Sequence, residues 1–325
     1  MKTTLYSLLA AAACGMAFGQ TAYTTPVGYY NYDAKAGGNL FVPGFVNSAA
    51  FAGKITAATN NADPVLDTLT VASGVLTANA FNQTPASVSP PFPARATHYV
   101  EITQAGANQG IVIDVVSNTN SVITLASDIS ALSLTGTETI TVRRHVTLSS
   151  AFAGAEATLS AYSDNATFYN PNGTGETYYF IGGGVWSSNL GDDDGSTRPI
   201  APGTGVVFNT AADVPLTVTG EVKSTDVVVQ IAGNGVVNIV GPMNPLVGSS
   251  DLIKNLGFAD MSAYSDNITI YAPGDLVTPL ATYYALGDGT VSTDLSTPSN
   301  ATFSFTKGSI FAAAADTAFK VKSGL

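Results

Sequence analysis

Three consecutive carboxylates form the densest group of potential ligands in the chain. Asp192, Asp193 and Asp194 stand in the segment GDDDGS, between two glycines. Ca²⁺ binds several oxygen ligands, and flexible carboxylates and carbonyls in one loop can supply them. The loop lacks the terminal Glu of an EF-hand, and a solvated acidic turn is the alternative interpretation. The segment is a candidate calcium site, and the sequence indicates no other cofactor.

The chain contains two histidines, His98 and His145. They could join Glu101 or Asp114 around a metal ion if the fold brought them together, and a structural role is the alternative. The chain has no Gly-x-Ser-x-Gly nucleophile motif. No spacing singles out a carboxylate pair for glycoside hydrolysis, which stays a minor alternative. We therefore expect a protein that is not an enzyme.

Aromatic residues offer a second kind of chemistry, because exposed Tyr and Trp stack on sugar rings or anchor protein interfaces. Adjacent tyrosines on a strand point to opposite faces of its sheet, so one of each pair can be exposed. Packing at the edge of the core is the alternative. The candidate contacts to a glycan or a protein are Tyr169, Tyr178, Tyr179, Trp186, Tyr271, Tyr283 and Tyr284.

Two of these tyrosines lie in a phrase that the chain uses twice. LSAYSDNATFYNP at 159–171 and MSAYSDNITIYAP at 261–273 are identical at nine of thirteen positions. The shared Ser-Asp-Asn is typical of a turn, because Asp and Asn side chains bond to nearby backbone groups. In the strand that follows, alternation places Thr167 and Tyr169 opposite the core face. On that repeated Thr/Tyr face we expect contacts between modules or subunits.

Short runs of Val, Ile, Thr, Tyr and Phe between Gly, Pro, Asn and Asp predict an all-β fold. The repeat predicts two related β-sandwich or barrel-like modules, at 20–224 and 225–325, with a small β-rich unit inserted in the first at about 62–145. A weaker match pairs 36–42 with 232–238. Two short helical turns are expected, near Ser48–Gly53 and Ser250–Leu256.

The composition restricts location and partners. The net charge is −11, so nucleic acid is not an expected partner. Residues 1–19 read as a signal peptide, with Lys2 before a short apolar run, so we expect an exported protein. Lipidation of Cys14, the single cysteine, is the competing interpretation. No second long apolar run follows, so no transmembrane span is expected.

Several segments resemble an uncharacterised family of secreted, β-rich proteins known mainly from verrucomicrobial bacteria. They are TPVGY at 25–29, YVEIT at 99–103, DVVSNTNSVITL at 114–125 and VRRHVTL at 142–148. The resemblance implies export and a β-rich fold over much of the chain. Its motifs are strands and turns and the family has no established activity, so it assigns no functional residue.

These observations lead to one expected function and two alternatives. The first is a non-enzymatic structural protein of the cell envelope or extracellular matrix that associates with itself or with cell-surface components. The second is a carbohydrate-binding or adhesive surface protein that uses exposed Tyr and Trp. A glycoside hydrolase is the minor alternative.

Overall fold

A computed structural model gives the fold, and its strands confirm the predicted all-β class. The predicted signal peptide, Cys14 and the helical turn near Ser250–Leu256 lie outside the described residues. No helix of the described part is long and apolar enough to cross a membrane. The structure describes residues 26–62, 64–89, 91–223, 225–233, 235–241, 243, 262–299 and, by their backbone, 309–312 and 317–321.

In the described part of the chain, eleven strands precede one short α-helix, α1 (Leu148–Phe152), and thirteen strands follow it. The eleven strands before the helix are β1 (Val27–Ala34), β2 (Gly37–Phe41), β3 (Ala49–Thr59), β4 (Thr68–Val71), β5 (Ser87–Val88), β6 (Pro91–Phe92), β7 (His98–Ile102), β8 (Val112–Asn118), β9 (Val122–Leu125), β10 (Thr139–Arg144) and β11 (Val146–Thr147). The first strand after the helix is β12 (Asn165–Tyr169). The remainder are β13 (Gly175–Gly182), β14 (Val185–Ser187), β15 (Pro199–Ile200), β16 (Val206–Thr210), β17 (Val214–Glu221), β18 (Val227–Ile231), β19 (Asn238–Val240), β20 (Asn267–Ala272), β21 (Asp275–Ala285), β22 (Val291–Ser292), β23 (Ser309–Ala312) and β24 (Thr317–Val321).

The first module is a sandwich of a five-stranded sheet, β14-β13-β12-β16-β2, and the pair β1-β17. One apolar core joins both layers, with Phe41, Trp186 and Phe208 from the larger sheet and Leu216 from the pair. Helix α1 covers this core with Phe152, which lies 4.5 Å from the ring of Phe208. The aromatic side chains bury a large apolar area in this core, larger than in the described core of the second module.

The inserted unit is a closed barrel of six strands, β10-β3-β4-β9-β8-β7. It begins at Ala49, before the expected boundary near residue 62. The predicted helical turn near Ser48–Gly53 is wrong, because this stretch opens strand β3. Along β3 the exposed Ala52 and Lys54 alternate with the less exposed Phe51 and the buried Ile55, which is the two-residue period of a strand.

Buried ion pairs fix the barrel to the first module. Lys223, which follows β17, donates from Nζ to Glu101 on β7, and both side chains are 1% exposed. Arg143 on β10 lies 2.5 Å from Glu221. Removing one partner of a buried ion pair would leave the other charge buried and unpaired. These contacts therefore hold the barrel and the first module in one arrangement.

The second module has the same layout in its described part. Its five-stranded sheet, β22-β21-β20-β23-β19, has the same strand order as the first module's sheet, and β18 pairs with β24 as β1 pairs with β17. The registers also agree. Ala166 lies opposite Tyr178, and Ile268 lies opposite Tyr283.

The strand equivalence differs from the weaker sequence match. The structure places Asn238 where the first module has Asn39, because each amide side chain closes the same kind of turn. Asn39 Oδ1 accepts a hydrogen bond from the backbone N–H of Lys35 (2.9 Å), and Asn238 Oδ1 accepts one from Ala232 (2.9 Å). The second turn is two residues longer, which displaced the alignment read from sequence.

Candidate functional site

The acidic loop does not gather Asp192, Asp193 and Asp194 into one group of metal ligands. Asp194 is buried and accepts hydrogen bonds from the backbone N–H (2.7 Å) and the hydroxyl of Ser188. Asp192 is exposed and accepts a hydrogen bond from Asn189 (2.8 Å), and Asp193 is also exposed. Among the described residues no three His, Cys, Asp or Glu side chains could hold a metal ion together. The carboxylates stabilise a turn instead.

The histidines lie in separate contacts. His145 is buried, with Nε2 2.9 Å from Asp114 and its ring centroid 4.9 Å from that of Tyr99. His98 lies against Phe81, with Nδ1 2.8 Å from the hydroxyl of Thr97. Burial, with Arg144 nearby, lowers the pKa of His98 to about 4. Neither histidine belongs to a metal-binding group in the described part of the chain.

Three of the aromatic candidates are buried, so they are wrong as surface contacts. Trp186 is 1% exposed, Tyr178 5% and Tyr283 7%. Strand pairing explains the burial of Trp186, which lies opposite Phe180 on the core face of the first sheet. The hydroxyl of Tyr178 accepts a hydrogen bond from Arg95 (3.0 Å). A hydrophobic strand pattern gives two faces but does not say which face a second layer covers.

Tyr179 and Tyr284 occupy the same position in the two sheets. They lie opposite Asn165 and Asn267, and both are half-buried. Paired threonines lie on the same face of the sheet as Tyr179, where the hydroxyls of Thr167 and Thr177 are 2.8 Å apart. These side chains form the outer faces of the two five-stranded sheets.

The outer faces meet each other in part. Leu40, Val42 and Val207 of the first module pack in one cluster with Ile239 of the second, and Tyr271 packs against it. Tyr271 therefore lies beside the junction of the two modules. Tyr169, at the equivalent position of the first module, is 40% exposed instead.

Beside Tyr169 the two modules enclose a cleft of about 250 Å³. We call it the inter-module cleft. Its walls come from the end of β12 and the loop before β16 on one side, and from β18 and β19 on the other. The polar or aromatic residues that line it include Tyr169, Asn170, Arg198, Thr204, Gln230 and Asn238.

Arg198 is held rigidly in the wall of this cleft. Its Nε donates to Glu176 (2.9 Å), its Nη2 donates to Asn170 (3.2 Å), and its guanidinium lies 4.8 Å from the ring centre of Phe168. Partial burial raises the pKa of Glu176, but the positive charge of Arg198 lowers it, and the pKa stays below its usual range. Arg198 is the one charged side chain among the described residues that line the cleft.

Sequence reasoning missed the tips of the repeated turns. Tyr162 and Tyr264 have φ of 64° and 61°, in the left-handed region, and are 62% and 61% exposed. A buried aspartate holds each turn: Asp164 accepts from the backbone N–H of Ser160, and Asp266 accepts from that of Ser262, both at 2.7 Å. The identity of SAYSDN in both copies was the available signal.

The chain matches no protein-family model, no curated protein and no solved structure. Function is therefore inferred from its own residues and their geometry.

Proposed function

We propose that the protein is an exported, non-enzymatic structural protein of the cell envelope or extracellular matrix that associates with itself through Tyr162 and Tyr264. The observation that carries the proposal is the same exposed tyrosine on the same strained turn of both modules. An exposed aromatic ring adds little to the stability of its own core, whereas Tyr is enriched in protein interfaces.

The backbone supports a role for the two side chains beyond folding. A left-handed conformation costs a non-glycine residue roughly 1–2 kcal/mol, and Gly or Asn would fit these turns with less strain. Tyr162 and Tyr264 are retained although each turn is already fixed by a buried aspartate. Strain of this kind, kept at matched positions, is typical of residues that serve a contact.

Two equivalent contact points on one chain favour assembly. A chain that uses both can join two neighbours, and contacts that do not close into a ring extend into fibres or layers. The net charge of −11 opposes this approach. Salt shortens the screening length from about 10 Å at 0.1 M to about 3 Å at 1 M, so association should increase with ionic strength.

Light scattering coupled to size exclusion tests the proposal on the exported protein. We expect a mass above that of one chain, rising with protein and salt concentration, and a fall to one chain in the Tyr162→Gly/Tyr264→Gly variant. Glycine accepts the left-handed φ, so this variant should unfold at an equal or higher temperature. The Tyr162→Phe/Tyr264→Phe variant keeps both rings and is the control. A single-chain mass for the wild type at every concentration would exclude the proposal.

A carbohydrate-binding or adhesive role is the second candidate, and the inter-module cleft favours it. The cleft presents the half-exposed ring of Tyr169 next to hydrogen-bonding side chains, an arrangement that suits a sugar ring. Trp186 no longer contributes to this candidate because it is buried. No carboxylate is among the described residues that line the cleft, so the hydrolase alternative gains no support there. A glycan array on the wild type and on Tyr169→Ala tests the candidate.

A further inference from the structure

Arg198 in the inter-module cleft has a hydrogen-bond donor without an acceptor among the described residues. Arg198 engages Glu176 through Nε and Asn170 through Nη2, whereas its Nη1 has no acceptor in the described part of the protein. A guanidinium favours planar carboxylate or phosphate partners. With no carboxylate lining the described cleft, a ligand would supply the acceptor.

We propose that the inter-module cleft binds a carboxylate-bearing sugar residue of an acidic polysaccharide, with Arg198 pairing to the carboxylate. The proposal rests on the glycan-binding candidate and names its ligand class. The cation carries the selectivity, because hydrogen bonds between charged groups are roughly twice as strong as those between neutral groups.

The remaining lining suits the ring and hydroxyls of a sugar. Tyr169 provides an exposed aromatic ring at the edge of the cleft. The exposed side-chain amide of Gln230 makes no hydrogen bond to a described residue, so its donors and acceptor are open to hydroxyls. Val237 and Ile239 add an apolar surface for the ring.

The dimensions favour one residue of a longer chain. A cleft of about 250 Å³ is slightly smaller than the roughly 300–1,000 Å³ of typical small-molecule pockets. It therefore holds one ring while the rest of the polysaccharide continues outside. A peptide carboxylate would satisfy Arg198 equally, but it would leave the aromatic ring and the Gln230 amide without matching groups.

Pre-organisation makes the single cation effective. Arg198 is already fixed by Glu176, Asn170 and the ring of Phe168, so binding costs little further side-chain entropy. Glu176 holds the guanidinium from outside the cleft lining and leaves Nη1 available.

Calorimetry with three soluble ligands tests the proposal on the full exported protein: an oligogalacturonate, a neutral galactose oligomer of equal length and an oligoglutamate. We expect the oligogalacturonate to bind about tenfold or more tightly than either of the others. Arg198→Gln should remove the preference over the neutral oligomer, and Arg198→Lys should restore part of it. Lys35→Gln, which removes an exposed cation elsewhere, should change nothing.

Several outcomes would overturn the proposal. Equal binding of the acidic and neutral oligomers refutes it but leaves glycan binding intact, and binding of no glycan refutes both. Equal binding of oligoglutamate replaces the sugar with a peptide ligand. If Arg198→Gln unfolds, as melting would reveal, Tyr169→Ala decides: it should weaken both glycans by a similar factor and keep the preference, and unchanged binding contradicts the site.

Discussion

Two hairpins with the same strands have different tips. In the first module β12 and β13 are joined by a short turn, in which the Asn170 N–H donates to Thr174 O (2.9 Å). In the second, β21 begins at Asp275, and Leu276 in the longer tip packs against the cluster that joins the two modules. The long tip fills the space beside β2, and the short tip leaves the inter-module cleft beside β19.

The backbone shows how closely the long tip approaches the first module. Gly38 pairs with Gly274 in an isolated bridge, and a Cβ on Gly37 would lie 2.5 Å from the carbonyl oxygen of Gly274. Only glycine allows this contact. The sheets of the two modules set the same frame, whereas the length of one loop decides whether a site exists.

The largest expected effect is a loss of stability that differs between the cores of the two modules. Trp186 and Val291 occupy equivalent positions, opposite Phe180 and Ala285. We expect Trp186→Ala to lower the unfolding free energy by about 3–5 kcal/mol, because a fully buried ring leaves a cavity. Val291→Ala removes two methyl groups and should cost about 2 kcal/mol. Denaturation followed by circular dichroism measures both changes.

The single tryptophan, Trp186, allows unfolding of the first module to be followed separately. In Val291→Ala, fluorescence of Trp186 reports the first module while circular dichroism reports both. An early transition in circular dichroism alone would show that the modules unfold separately. Coincident transitions would show that the docked outer faces make one cooperative unit.

The buried turn aspartates carry the next largest effect. Asp164 is 0% exposed and accepts hydrogen bonds from the backbone N–H groups of Ser160 (2.7 Å) and Ala211 (2.8 Å). Asp164→Ala leaves both donors unsatisfied, so we expect a loss of about 2–4 kcal/mol, and Asp164→Asn a smaller one. Asp266→Ala is the counterpart in the second module. A loss below about 0.5 kcal/mol, by urea denaturation, would contradict the turn's structural role.

The strands and turns were largely predictable from sequence. Runs such as 110–116 and 138–142 became β8 and β10, and Ser-Asp-Asn became the turn before β12. Strand β3 was missed because its alanines and glycine hide the two-residue period that its burial shows. Local patterns specify local structure when side chains contrast in polarity, and β3 offers little contrast.

The site was less predictable, for a physical reason. The inter-module cleft joins Tyr169 and Arg198 to Gln230 and Ile239, residues brought together only by the docking of two modules. Alternation along β12 correctly placed Tyr169 on the outer face. It could not show that its equivalent, Tyr271, would be covered while Tyr169 stayed exposed, because that follows from the length of a distant hairpin.

Leu276→Ala tests the comparison of the hairpins directly. The side chain is half-buried between the modules, so we expect a loss of about 1–2 kcal/mol, less than for a fully buried leucine. Its removal should also open a second space beside β2. Val277→Ala, at a residue 90% exposed on the same tip, is the control and should change stability little. Equal effects of the two variants in thermal melting would show that the tip does not pack as described.

The smallest expected effect belongs to the barrel, which only the first module carries in the described chain. Burial lowers the pKa of His98 to about 4, against about 6.5 in an unfolded chain. Between these values the unfolded chain binds a proton that the folded barrel does not, so the unfolding free energy falls as pH drops from about 6.5 and levels off below about 4. The ring is part-exposed, so we expect a loss of only about 1 kcal/mol. His98→Gln should lack this loss, and the difference between the two urea-denaturation profiles removes the general effect of a falling net charge; parallel profiles would contradict the assignment to His98.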